Sequence, residues 1–318
     1  MDDGLRLGRR RLLGLSLAAL TVPLIGACGS QPNAPKITGS EVQELQDSYA
    51  HKSFQAMRSR DRALIKTIET GELLQRDLDS MDLADRLKAP KTATEFTLPN
   101  STGYPVESSD DQQQLITVSD YSNAPQSWQN LGLYLRDTAD APWLRAFSAG
   151  IYGADVPDWP TDEPLQTVDP DDDDYAAQPQ QVPGMVARAL QQPNSADGRR
   201  FAASDVRQRY ADDLVANNEK AASMGPVTRS YHPGRLLIAV QYDGGYLALG
   251  TLTFSQTVTA KPGSSVTFSP QSSQHKAYPG TYRQTVASYA AMIAVLVPDA
   301  GKLTLVSGEE RQTGLVVK

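Results

Sequence analysis

The chain has 318 residues, 30 basic and 37 acidic, for a net charge of −7. An acidic surface repels phosphate backbones and anionic headgroups, which argues against a nucleic-acid partner and against electrostatic adhesion to a membrane. The single cysteine, Cys28, rules out an intrachain disulfide.

Residues 1–27 read as an export leader. Arg6, Arg9, Arg10 and Arg11 form a basic start, and residues 12–25 are uncharged and apolar. That stretch falls short of the roughly 20 residues a helix needs to span a bilayer. Its end, Ile25-Gly26-Ala27-Cys28, resembles the lipobox of bacterial lipoprotein signal peptides, and Arg9-Arg10-Arg11-Leu12-Leu13 resembles a twin-arginine export motif. The lipobox resemblance implies cleavage before Cys28, a diacylglycerol on its sulfur, and a lipid anchor on the extracytoplasmic face of the cell membrane. Loss of the leader removes four arginines and two aspartates, which takes the net charge to −9. Residues 28–39, rich in Gly, Ser, Pro and Asn, read as a flexible tether.

About 290 residues remain, enough for two domains of ordinary size. No Lys or Arg occurs from Ala146 to Ala187, while nine acids and six prolines fall between Asp155 and Pro183. Such a stretch repels itself and interrupts helix and central strand alike. Residues 153–183 are therefore predicted to be an acidic linker between an N-terminal domain, 40–152, and a C-terminal domain, 184–318. Its run Asp171-Asp172-Asp173-Asp174 lacks the alternating ligands, central Gly and distal Glu of an EF-hand loop, and reads as solvated chain.

In the first domain Val42, Leu45, Tyr49, Phe54, Met57, Leu64, Ile65 and Ile68 recur about every three to four residues. This predicts helix over 40–68, broken at 59–61 and capped by Ser40 or Thr38. A charged helix over 72–87 is expected on the surface. Beyond Pro90 the stretches 94–99, 114–121, 128–137 and 142–152 read as antiparallel strands, the last with Trp143 in a closing hairpin. In the second domain helices are expected over 185–192 and 204–224, the latter capped by Ser204 with Val206, Tyr210, Leu214 and Val215 on one face. Strands follow at 236–242 and 246–259 around an Asp243-Gly244-Gly245 turn, then at 264–270, 282–298 and 301–317, with a second turn at 298–301. The fold class is α+β: two domains, each helices followed by a curved antiparallel sheet.

The stretches AMRSRDRALIKTI and LRDTADAPWLRAF, within 40–152, resemble the cone-shaped fold of ketosteroid-isomerase-like and nuclear-transport-factor-like proteins. Enzymes of that fold use a carboxylate base and hydrogen-bond donors in an apolar pocket. The resemblance brings forward Tyr104, Asp120, Tyr121 and Tyr134, which otherwise read as core tyrosines and a surface acid. The stretches LIAVQYDGGYLALGTLTF and YPGTYRQTVASYAAMIAVLVPDAGKLTLVSGEE resemble an uncharacterised domain of actinobacterial lipoproteins, which implies a location and no chemistry.

The catalytic search is negative. No HExxH, CxxC, GxSxG, Walker loop or GxGxxG occurs, and His51, His232 and His275 stand at least 43 residues apart and read as structural. No metal or cofactor is implied. The expected function is a non-catalytic, lipid-anchored envelope protein that binds an unidentified protein, cell-wall component or apolar ligand. Tyr242, Tyr246 and Phe254, on the long strands, are the candidate contact surface, and core is the alternative placing. Two other readings compete: a transporter solute-binding lipoprotein, whose alternating βαβ pattern is lacking, and a cone-fold isomerase or hydrolase.

Overall fold

The computed structural model describes residues 34–107, 112–122, 128–152 and 155–318. The leader, Cys28 and the first part of the tether lie outside these residues. Among the described residues no helix is long and apolar enough to cross a membrane.

Helix α1 (Gly39–Ser59) starts where Thr38 Oγ1 accepts from the Glu41 amide and Glu41 returns a carboxylate to the Thr38 amide, a reciprocal cap. It ends at Arg60, whose φ of 57° breaks the helical path. Asp61 then caps the one-turn helix α2 (Arg62–Ile65), accepting from the amides of Ala63 and Leu64 at 3.0 Å. Helix α3 (Gly71–Arg86) follows. The first sheet is a meander in the order β1 (Thr102–Val106), β2 (Gln113–Asp120), β3 (Trp128–Arg136), β4 (Leu144–Tyr152). Strand β1 escapes the sequence pattern because Gly103 and Pro105 are weak strand formers, and residues 94–99 carry no strand.

The second half holds α4 (Val182–Gln191), α5 (Ala196–Arg200) and α6 (Asp205–Lys220), the last capped by Ser204 as expected. The second meander is β5 (Val227–Tyr242), β6 (Gly245–Thr259), β7 (Gln284–Pro298) and β8 (Thr304–Val317), with the one-turn helix α7 (Ser273–Ala277) between β6 and β7. Both expected turns are present, with Gly244 at φ 88° and Gly301 at φ 112°, conformations that glycine adopts without a Cβ clash. Residues 264–270 form no strand beyond a single bridge at Val266.

The fold is α+β, but the two halves are not separate domains: Pro32–Lys318 is one compact unit. Alternation along the strands explains this. Ile116, Val118, Leu131, Leu133, Phe147 and Ile151 of the first sheet share one apolar cluster with Ile238, Val240, Leu247, Leu249, Met292 and Val306 of the second. The opposite face of the first sheet, with Leu115 and Tyr134, packs under α1, and that of the second, with Tyr246, Phe254 and Val295, packs under α4 and α6. The layers therefore run helix, sheet, sheet, helix, and both faces of both sheets are covered.

The acidic linker is likewise corrected. Its Trp159, Leu165, Val168 and Ala177 are 3–5% exposed, so four anchors hold it down despite the charge around them. Leu165 exchanges backbone hydrogen bonds with Pro105 and Glu107 on the edge of β1, both 2.8 Å. One residue on, Gln166 accepts from Gln241 and Val168 donates to Ala239 on the edge of β5, both 2.9 Å. Trp159 stands edge-on to Tyr104 at 5.2 Å and donates its Nε1 proton to the Gln241 carbonyl at 3.0 Å. The segment is a strap that occupies the open edges of both sheets, edges that otherwise invite pairing with other chains.

Helix α3 is not a surface helix either. It packs against β4 and β8, and Leu73, Arg76, Asp77, Met81 and Leu83 are buried. Its charges suggested a solvated face because Arg60, Arg62 and Arg311, which pair with Asp85, Asp82 and Asp77, lie outside the helix.

Candidate functional site

Three places concentrate polar or exposed apolar groups. The first is the space between α1 and the first sheet. Gln46 is fully buried there: its Nε2 donates to Thr117 Oγ1 at 2.7 Å and Ser119 Oγ at 3.0 Å, and its Oε1 accepts from Tyr134 Oη at 2.8 Å. Arg145, also fully buried, donates to Asn130 Oδ1, to the Phe147 carbonyl and to Gln46 Oε1, with its guanidinium 4.3 Å from the Tyr49 ring centre. Burial pushes the Tyr134 hydroxyl up to about 12 and raises that of Tyr49 well above the ordinary tyrosine value, so both remain protonated donors. The chain's own side chains satisfy one another here, which rigidifies the packing.

The second place is a charged cluster where α3 meets β8. Asp77 Oδ1 accepts from Arg76 Nε at 3.0 Å and lies 3.5 Å from Arg311 Nε. Glu69, 1% exposed, accepts from Tyr49 Oη at 2.9 Å through Oε1, while Oε2 has no partner among the described residues.

The third is a groove of about 550 Å³ between the end of α4 and the length of α6. Leu190, Pro193, Arg207, Leu214, Val215 and Tyr231 line it, with Tyr210 among its buried walls. Val215 is 57% exposed at the rim of this groove, uncovered among the described residues. Arg207 Nη1 donates to the carbonyls of Phe201 and Ala202 at 3.0 Å, so the one charged group of the lining is tied to the backbone. Gln191 fixes the far wall: its side-chain amide donates to the Arg229 carbonyl at 3.1 Å and accepts from the Tyr231 amide at 3.0 Å, imitating a neighbouring strand on β5.

The residues expected from the sequence fall elsewhere. Tyr246 and Phe254 are 0% and 2% exposed and belong to the core beneath α4 and α6, so they form no contact surface. Tyr246 Oη donates to the Ala177 carbonyl at 2.7 Å, and Phe254 stacks on Tyr289 at 4.6 Å. Tyr242 is half-buried against the core between the sheets. Tyr246 and Phe254 are covered because α4 and α6 lie on the sheet face that carries them. Tyr104 and Tyr134 stand on opposite faces of the first sheet, Tyr121 stacks on Phe96 at 5.5 Å, and Asp120 accepts from Asn100 at 2.7 Å, so these four do not converge on one pocket. His51 contacts Gln55 on α1, His232 lies on β5 and His275 on α7, three separate elements. The carboxylates of Asp172, Asp173 and Asp174 lie within 4.8 Å of one another, and Asp172 and the nearby Asp169 cap turn amides of the strap. Cys28 lies outside the described residues. The sequence signal for the groove was Leu214 and Val215 on α6: taken as core beside Val206 and Tyr210, they lie one turn beyond the buried face.

These features define an α+β protein of two face-packed antiparallel meanders with a groove on the outer helical layer. A family model described as a domain of unknown function, DUF8094, matches residues 33–314, and the chain belongs to that family. The match runs unbroken through both sheets and the strap, in keeping with one structural unit. No curated protein and no solved structure matches the chain.

Proposed function

We propose that this chain is a lipid-anchored protein of the cell envelope, held at Cys28, that binds an apolar small ligand without transforming it. The groove between α4 and α6 carries the reading. Its volume of about 550 Å³ lies in the range of small-molecule sites, and its described lining sets Leu190, Pro193, Leu214 and Val215 beside the polar Gln191, Ser204, Arg207 and Gln208. That lining contains no His, Cys, Asp or Glu that would serve as nucleophile or general base, which favours binding over turnover. The basic, apolar and small-residue order of the leader supports the anchor.

Titration of the purified mature chain with a fluorescent fatty acid tests the groove. Saturable binding is expected, weakened at least about tenfold in Val215→Glu, where a carboxylate would enter the apolar lining. Linear, non-saturating signal, or equal binding by the variant, overturns it. For the anchor, Cys28→Ser is expected to move the protein from the detergent phase to the medium, and a variant that stays membrane-bound overturns that part independently.

A further inference from the structure

Glu69 sits where four elements of the chain meet. From α1, Tyr49 donates to its Oε1 at 2.9 Å. From α3, Arg76 and Asp77 face it, and from β8, Arg311 and Glu309 flank the same cluster. Arg145 of β4 forms a backbone bridge to Glu69 and lies over the Tyr49 ring, with Tyr121 and Tyr134 beyond it. Glu69 Oε2 and Arg76 Nη1 are both buried without a partner among the described residues, although their parent side chains are 1% and 3% exposed. Two carboxylates, Glu69 and Asp77, thus share a buried site in which two arginines are already committed to Asp77.

We propose that Glu69 is a proton-operated latch that holds α3 against β4 and β8, closed by one proton on its carboxyl and loosened when that proton leaves. The protonated carboxyl is neutral beside Asp77, so Asp77 keeps both arginines and α3 stays seated on β8. The ionised form places a second negative charge in the site with one oxygen unsolvated and unbonded, which favours any opening that lets water reach it.

Burial first, and the Asp77 carboxylate second, push the Glu69 carboxyl up to about 8. A carboxyl raised in the folded state and ordinary in the open state binds more protons when closed. The stabilisation is therefore complete below the ordinary glutamate value of 4.5, and it is lost as pH rises through about 8. The open population of α3 is expected to grow roughly tenfold per pH unit across that window and to level off above it.

Hydrogen exchange of residues 71–86 in the intact mature chain, corrected for intrinsic rate and followed from pH 5 to 9, reads this directly. The expected result is that steep rise in the parent protein and a flat profile in Glu69→Gln. Equal slopes in the two overturn the proposal. Should the variant not fold, a carbon-13 titration of the Glu69 carboxyl in the parent protein decides alone: a midpoint near 8 supports the latch, and one near 4.5 defeats it.

Discussion

Gly132 leaves the space that the Arg145 guanidinium fills: a Cβ at Gly132 would stand 2.5 Å from Arg145 Nη2 and 2.6 Å from Thr117 Oγ1. The glycine lies in the interior of β3, where its type is ordinarily unfavourable, and the register pairs it with Thr117 on β2 and Ser148 on β4. A buried arginine bonded to Asn130, Gln46 and the Phe147 carbonyl has no direction in which to retreat. Gly132→Ala is therefore expected to lower stability by about 2–4 kcal/mol, through overpacking and a displaced charge. Gly39→Ala, where a Cβ meets nothing within 4 Å, is the control and should shift it by only about 0.5 kcal/mol. Urea unfolding of the two variants measures both values, and equal midpoints would contradict the role of Gly132.

Tyr246 separates core from surface in the second half. Its ring stands edge-on to Tyr175 at 5.0 Å and its hydroxyl reaches the strap at Ala177. Tyr246→Ala should cost about 3–5 kcal/mol, and Tyr246→Phe, which removes only the hydrogen bond, about 1 kcal/mol. Thermal unfolding of both variants checks the ratio; a nearly neutral alanine variant would return Tyr246 to the surface.

The strap makes a prediction opposite to that of a free linker. Residues 159–168 are bonded to the edges of β1 and β5, so limited proteolysis of the parent protein should spare them. Trp159→Ala removes both the edge-on contact with Tyr104 and the bond to Gln241, and this stretch should then be cut first, with the fragment masses read by mass spectrometry. Early cleavage between Trp159 and Val168 in the parent protein would show that the edge bonds do not protect the chain.

The sequence alone makes the local elements legible. The period of Val42, Leu45 and Tyr49 marks α1, Ser204 marks the start of α6, and Asp243-Gly244 marks the hairpin, because caps, turns and periodicity act within a few residues. It also showed where local signals fail, since β1 carries a proline and a glycine and takes its strand form from pairing with β2. What each face meets is set by long-range packing. Trp159, Leu165 and Val168 are spaced without period among aspartates and prolines, and become anchors only because two sheet edges lie within reach. Val215 follows Leu214 on α6 yet ends in solvent, since helical rotation turns it away from the face on which Val206 and Tyr210 are buried, and it lines the groove instead. Glu69 and Arg311 are 242 positions apart, and Asp77 joins them through a fold that places β8 beside α3. Pairing energies of that kind depend on distance in space, which a linear pattern of residue types does not encode.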